Sequence, residues 1–109
     1  MIAFFDNTDF HYAMQATDLQ GAAIDLTGAT TTCTVYPDPR EGAAATATFT
    51  VANSGITINE AVTGKFTVDF EPGDLATGEY TLEATAVLAN ADVVFLGRTF
   101  IKVLNSEFL

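Results

Sequence analysis

The sequence predicts an all-β fold, an antiparallel sandwich of about seven strands, on three observations. Short segments alternate between apolar and polar side chains, which is the period of a half-buried strand. Clusters of Gly, Pro, Asn and Asp interrupt these segments at intervals of roughly 8–12 residues, as in sandwiches and barrels. No segment carries the period of an amphipathic helix. With 109 residues, 49% of them apolar, the chain suits one domain with one core.

A central strand is expected to begin at Tyr80, within the pattern Leu75-x-x-Gly78-x-Tyr80. The glycine permits a sharp crossing of the backbone from one sheet to the other. The tyrosine ring is then buried while its hydroxyl bonds back to the crossing, an arrangement called a tyrosine corner. Alternate residues from Tyr80 to Leu88 are apolar and predict the inward face. Leu75, Gly78 and Tyr80 are therefore interpreted as the residues that define the fold.

The remaining strands are predicted from the same alternation. Their expected ranges are residues 10–17, 29–36, 43–51, 56–58, 65–70 and 93–104, with 22–26 as a short edge segment and one helical turn at 74–78. Cys33 and Val35 are expected on the inner face. Both faces of the last strand carry apolar groups. Either part of this strand is covered on both sides, or a bulge at Gly97 reverses which of its side chains point inward.

The two ends of the chain are interpreted separately from the sandwich. Residues 1–9 are an expected N-terminal arm, residues 10–104 the sandwich, and residues 105–109 a C-terminal tail. Chain ends are normally polar and frayed unless they are tied down. The apolar residues at these ends are therefore candidates for an interface: Phe4, Phe5, Phe108 and Leu109. They either dock on the chain's own domain or are buried against a neighbour, where aromatic residues act as anchors.

Charge narrows the classes of partner. The chain has 4 basic and 14 acidic side chains, a net charge of −10. Binding to nucleic acid or to an anionic membrane needs Lys and Arg, so neither is expected as a partner. The net negative charge favours solubility or a partner with a basic face. The first residues lack the basic region and long apolar run of a signal peptide, so we expect synthesis in the cytoplasm.

Catalytic, metal and cofactor sites are not expected. His11 is the single histidine, so the chain lacks the residues for a metal site with several histidine ligands, and one histidine alone does not indicate an activated nucleophile. Cys33 is the single cysteine and has no basic neighbour in sequence to activate it, so we expect a small buried hydrophobe. The acidic segments 6–9 and 69–74 lack the spacing of a calcium loop and are expected to be solvated turns, with weak calcium binding left open. The prediction is a protein that is not an enzyme.

Five segments in a fixed order carry a family resemblance. They are Ile24-Asp25-Leu26-Thr27-Gly28-Ala29, the strand at 30–36, Gly64-Lys65-Phe66-Thr67-Val68, the corner pattern at 75–80, and Gly97-x-x-Phe100-x-x-Val103. The set resembles the small immunoglobulin-like domain of tailed-phage structural proteins. It is most similar to the N-terminal domain of baseplate upper proteins and related short tail proteins.

This resemblance implies an immunoglobulin-like sandwich in a virion component that binds other virion proteins. The implied location is the virion, with a role in the tail, the baseplate or the head–tail adaptor, and with many copies in one assembly. The alternative within this class is a capsid decoration or cement protein that binds the major capsid protein and stabilises the head lattice. A more distant alternative is a free module for binding a carbohydrate or a host protein. Such a module would display an aromatic platform in a loop, and the predicted loops carry no aromatic residue.

Overall fold

A computed structural model describes residues 2–38 and 44–105, and every regular element within these ranges is a β-strand. The eight strands are β1 (Ile2–Phe5), β2 (Phe10–Gln15), β3 (Thr30–Pro37), β4 (Ala47–Thr50), β5 (Ile56–Glu60), β6 (Lys65–Phe70), β7 (Gly78–Val87) and β8 (Val93–Leu104). They form a five-stranded sheet in the order β1-β8-β7-β3-β4 and a three-stranded sheet in the order β2-β6-β5. The predicted all-β class, with a sandwich-like pair of sheets, is confirmed.

One core lies between the two sheets and draws on both of them. The largest fully buried side chains include Phe66 and Phe70 of β6 and Leu82 of β7. Each of these sits at an alternate position of its strand, so the polar neighbours turn outward. Complete burial of a Leu or Phe side chain contributes about 1.5–3 kcal/mol, which makes this layer the main source of stability.

A strand that the sequence did not predict lies within the expected N-terminal arm. Residues 2–5 form β1, which pairs in parallel with β8 from Ile2 opposite Ile101 to Phe5 opposite Leu104. This strand raises the count from about seven to eight. A segment of four residues is too short to show alternation, and its partner lies about a hundred residues along the chain. The alternation of apolar and polar residues therefore does not indicate β1.

The burial of Phe4 corrects one interface candidate. Its side chain is 8% exposed and stacks on Phe10, with ring centroids 4.9 Å apart and planes 9° apart. It also contacts Phe70 at 5.0 Å. Strand geometry turns Phe4 inward and the neighbouring Phe5 to the opposite side, where Phe5 is half-buried. Phe4 is therefore a core residue, Phe5 stays a candidate, and Phe108 and Leu109 lie outside the described residues.

The segment before β7 is anchored to Tyr80. Leu75 is buried, and the Tyr80 hydroxyl donates a hydrogen bond of 2.7 Å to the Ala76 carbonyl. The Asp74 carboxylate accepts the backbone N–H of Glu71 at 2.8 Å. The Asp74 N–H also donates to the Glu71 carbonyl at 3.1 Å, and Gly78 already belongs to β7, so the segment consists of turns and bends. The predicted helical turn at residues 74–78 is wrong.

Turn chemistry also replaces the edge segment predicted at residues 22–26. That segment makes one bridge, from Ala23 to Thr17, and no strand. The Asp18 carboxylate accepts the backbone N–H groups of Gln20 and Ala22 at 2.9 and 3.0 Å. These hydrogen bonds hold the chain in a tight loop instead of an extended edge.

Candidate interaction face

The side of the five-stranded sheet that points away from the core is here called the outer face. Seven large apolar side chains of the described chain are exposed, and four of them lie on this face. These four are Val87 of β7 (43% exposed) and Val93 (73%), Phe95 (56%) and Phe100 (53%) of β8. The other three, Leu19, Val51 and Val62, are scattered over separate turns. Single exposed apolar residues are normal, whereas a cluster indicates a contact surface.

A β-bulge in β8 brings the two phenylalanines to the same side of the sheet. Gly97 pairs with Ala84, but the next pair is Phe95 with Thr85, so Leu96 is an extra residue. The extra residue reverses the alternation of the strand, as expected for a bulge. Phe95 therefore projects outward like Phe100, although residues five positions apart in a regular strand point to opposite faces. The predicted switch of facing near Gly97 is confirmed.

A charged pair lies between the exposed rings. Arg98 Nη2 is 3.2 Å from Glu83 Oε2, and the Arg98 guanidinium carbon is 6.0 Å from the centroid of the Phe95 ring. The Arg98 side chain is 54% exposed and that of Glu83 is 15% exposed. A partly exposed pair of this kind contributes at most about 1 kcal/mol to stability. Its guanidinium nevertheless has donors in a fixed plane that can be offered to a second carboxylate.

The outer face is balanced in charge, unlike the rest of the molecule. Of the three basic residues in the described chain, Arg98 and Lys102 lie on it and Lys65 does not. Lys102 is opposite Glu79, and Arg98 is opposite Glu83, on adjacent strands. The remaining described surface carries most of the 14 acidic side chains. A partner that meets the outer face therefore meets apolar groups and matched charges.

Threonines fill the half of the outer face that β3 and β4 supply. Thr32 is opposite Thr50 and Thr34 is opposite Thr48, and β7 continues the row with Thr85 beside Thr32. Threonine stabilises a strand by its branched side chain, and facing threonines pair across strands. This half is weakly polar, as expected from the threonine-rich segments of the sequence.

The solvent side of the three-stranded sheet has a different character. His11 Nδ1 lies 2.8 Å from Asp69 Oδ1, and the Thr57 hydroxyl donates to Asp69 Oδ2 at 2.7 Å. The Thr67 hydroxyl donates to Asn59 Oδ1 at 2.7 Å. These polar groups satisfy one another across the strands. The contrast favours the outer face of the larger sheet as the interaction site.

Two of the acidic residues in the segments raised as calcium candidates, Asp69 and Asp74, serve the fold. Asp69 accepts from Thr57 and contacts His11, while Asp74 closes a turn on the Glu71 backbone. Within residues 2–38 and 44–105, no group of three or more His, Cys, Asp or Glu side chains is placed to hold a metal ion. In the same ranges, no helix is long and apolar enough to cross a membrane.

Cys33 is buried on the inner face of β3, as predicted. Burial raises the pKa of its thiol to about 12, because the charged thiolate is poorly solvated there. The thiolate is the reactive form of cysteine. The thiol is therefore neutral and unreactive at neutral pH, and it acts as a small apolar group of the core.

We expect Cys33 to resist thiol reagents in the folded protein and to react fully in denaturant. The measurement is the rate of labelling by an aromatic disulfide reagent at pH 8, with and without guanidinium. A matched control is the Cys33→Ala/Thr48→Cys variant, whose thiol lies on an exposed position of β4 and should label at once. Equal labelling rates for the two folded proteins would show that Cys33 is not buried.

Comparison of the chain with protein-family models, with curated proteins and with solved structures found no match.

Sequence reasoning nominated the chain ends and missed the outer face. The signal was present, because both faces of the last strand were expected to carry apolar residues. To predict that Phe95 and Phe100 both point outward, one must know where the bulge lies and how β8 is aligned with β7. Neither follows from alternation alone.

Proposed function

We propose that this chain is a non-enzymatic structural protein of a tailed phage or phage-like particle, and that its outer face binds neighbouring virion proteins. The observation that carries the proposal is the cluster of Phe95, Phe100, Val87 and Val93, which are exposed on the outer face of the larger sheet. The class of particle comes from the sequence resemblance described above. The proposed location is the virion, in the tail, the baseplate or the head–tail adaptor.

The finer fold assignment is an immunoglobulin-like sandwich with a tyrosine corner. Its support is a hydrogen bond made by Tyr80, which lies near the start of β7. The Tyr80 hydroxyl donates to the carbonyl of Ala76, four residues earlier in the chain. In immunoglobulin-like domains the corner tyrosine makes a bond of this type to the backbone a few residues upstream. The buried Leu75 completes the proposed corner beneath the crossing.

An outer face that carries a cluster of exposed apolar side chains suits assembly better than catalysis. Burial of apolar surface contributes roughly 25 cal/mol per Å², and the two exposed rings concentrate that surface on β8. Exposed patches of this kind on soluble domains mark sites of protein interaction. Rigid strands also lose little entropy on docking, so more of the contact energy is retained as affinity.

The test is incorporation of variants into particles from the native source. We expect Phe100→Thr to lower the amount of this chain in purified particles by about tenfold or more, which corresponds to about 1.4 kcal/mol of binding. The reason is the loss of one aromatic anchor from the contact. The measurement is quantitative mass spectrometry across a density gradient.

Val51→Thr is the matched control, because Val51 is as exposed as Phe100 (53%) but lies in a turn away from the outer face. It should be incorporated like the unmodified chain. Equal incorporation of both variants would show that the outer face makes no contact in the particle. Absence of the unmodified chain from particles would reject the structural role itself. Location on capsomers instead of the tail would select the decoration alternative.

A further inference from the structure

We propose that the outer face packs against the outer face of a second copy, as a twofold dimer in which Arg98 of each copy pairs with Glu83 of the other. This inference rests on the proposed use of the outer face for assembly and names the neighbour that covers it. Its grounds are the charge balance of the face, the self-complementary arrangement of its charges, and its area.

Charge decides where two copies of so acidic a chain can meet. Two molecules with a net charge of −10 repel each other when their acidic surfaces approach. On the outer face, Arg98 and Lys102 offset Glu83 and Glu79. The acidic groups on the far sheet are about 10 Å or more away. That distance exceeds the Debye length of about 8 Å at physiological salt, so their repulsion is largely screened.

The arrangement of these charges suits a twofold axis. In a twofold interface the same patch meets itself, so every group must face its complement in the other copy. Arg98 and Glu83 lie side by side on adjacent strands, 3.2 Å apart. An axis that passes between them places each Arg98 over the Glu83 of the second copy. The guanidinium then bridges two carboxylates, its own and its neighbour's, with Phe95 and Phe100 packed around the pair.

The area of the outer face predicts a weak dimer. Its five strands contain 38 residues. At about 3.3 Å per residue and about 4.8 Å between strands, they present roughly 600 Å². Two such faces bury about 1,200 Å² in total, the lower limit of specific interfaces. The expected dissociation constant is therefore on the order of micromolar, with local concentration in a particle driving the pairing.

A partner with a basic surface fits this face less well. Such a partner would be attracted to the acidic remainder of the described surface, where carboxylates outnumber Lys and Arg side chains. The outer face offers it no net charge. A second copy therefore satisfies both the apolar rings and the paired charges of this face.

The experiment is sedimentation equilibrium of the purified full chain and its charge-reversed variants. The unmodified chain should dimerise with a dissociation constant on the order of micromolar. Arg98→Glu and Glu83→Arg should each weaken dimerisation by about tenfold or more, because like charges then face each other across the axis. The double variant Arg98→Glu/Glu83→Arg should dimerise like the unmodified chain. A mixture of the two single variants should form a heterodimer.

Circular dichroism and thermal unfolding of each variant establish that the fold is retained. A chain that stays monomeric at about 1 mM, well above the expected constant, would overturn the inference. So would a dimer that the single reversals leave unchanged, since a different surface would then be responsible. If the chain is monomeric but Phe100→Thr still abolishes incorporation, the proposed function holds and another virion protein covers the face. A dimer absent from particles would reject the function and retain the inference.

Discussion

Replacing Phe66 with alanine is expected to lower the free energy of unfolding by about 3–5 kcal/mol. Phe66 is 1% exposed, on the inner face of β6, and its register partners are Met14 of β2 and Ile58 of β5. Loss of the ring removes its burial and leaves a cavity that strands fixed on both sides cannot close. The measurement is urea unfolding followed by circular dichroism, at protein concentrations below the dimerisation constant.

Phe100→Ala is the matched control, with the same chemical change on the same type of residue. Because the Phe100 ring is half in solvent on the outer face, we expect a loss of about 1 kcal/mol or less. If both variants lost a similar free energy of unfolding, or if Phe66→Ala changed it by less than about 0.5 kcal/mol, the assignment of inward and outward side chains on β6 or β8 would be wrong.

Gly64→Ala is expected to cost about 3 kcal/mol or more, through the backbone at the turn between β5 and β6. Gly64 has φ +72°, and an added Cβ would lie 2.5 Å from the Ile24 carbonyl oxygen and 2.9 Å from that of Ala16. These carbonyl groups belong to fixed backbone. The Ala16 N–H donates to the Gly64 carbonyl at 2.8 Å, and the Ile24 N–H donates to the Ala16 carbonyl at 2.9 Å. Neither segment can move away without loss of these bonds.

Gly21→Ala separates the effect of the backbone angle from that of the clash. Gly21 has φ +84° but nothing within 4 Å of an added Cβ. Only the cost of the left-handed conformation applies, about 1–2 kcal/mol. The two variants are compared by the same urea titration. Equal losses would mean that the carbonyl groups around Gly64 do not restrict its side chain.

Much of the fold followed from local pattern. The bounds of β6 and β8 agree with the sequence prediction, because both strands are rich in β-branched and aromatic residues and are flanked by turn residues. The inward face of β7 from Tyr80 to Ala86 also agrees. In these strands the local preference and the final packing point to the same conformation.

The errors arose where distant contacts decide the structure. β1 exists because β8 offers an edge to it, and no pattern in residues 2–5 encodes that pairing. Sequence alone therefore leaves Phe4 between docking on its own domain and contact with a neighbour, and its burial against Phe10 makes it a member of the core. The outer face was missed for a related reason, since the bulge and the register with β7 together place Phe95 beside Phe100.

The most direct measurement of the proposed role is a reconstruction of particles from the native source at side-chain resolution. We expect this chain within the particle, with Phe95, Phe100 and Arg98 of the outer face buried against a neighbouring subunit. Particles that lack the chain, or a reconstruction in which Phe95 and Phe100 face solvent, would contradict that role.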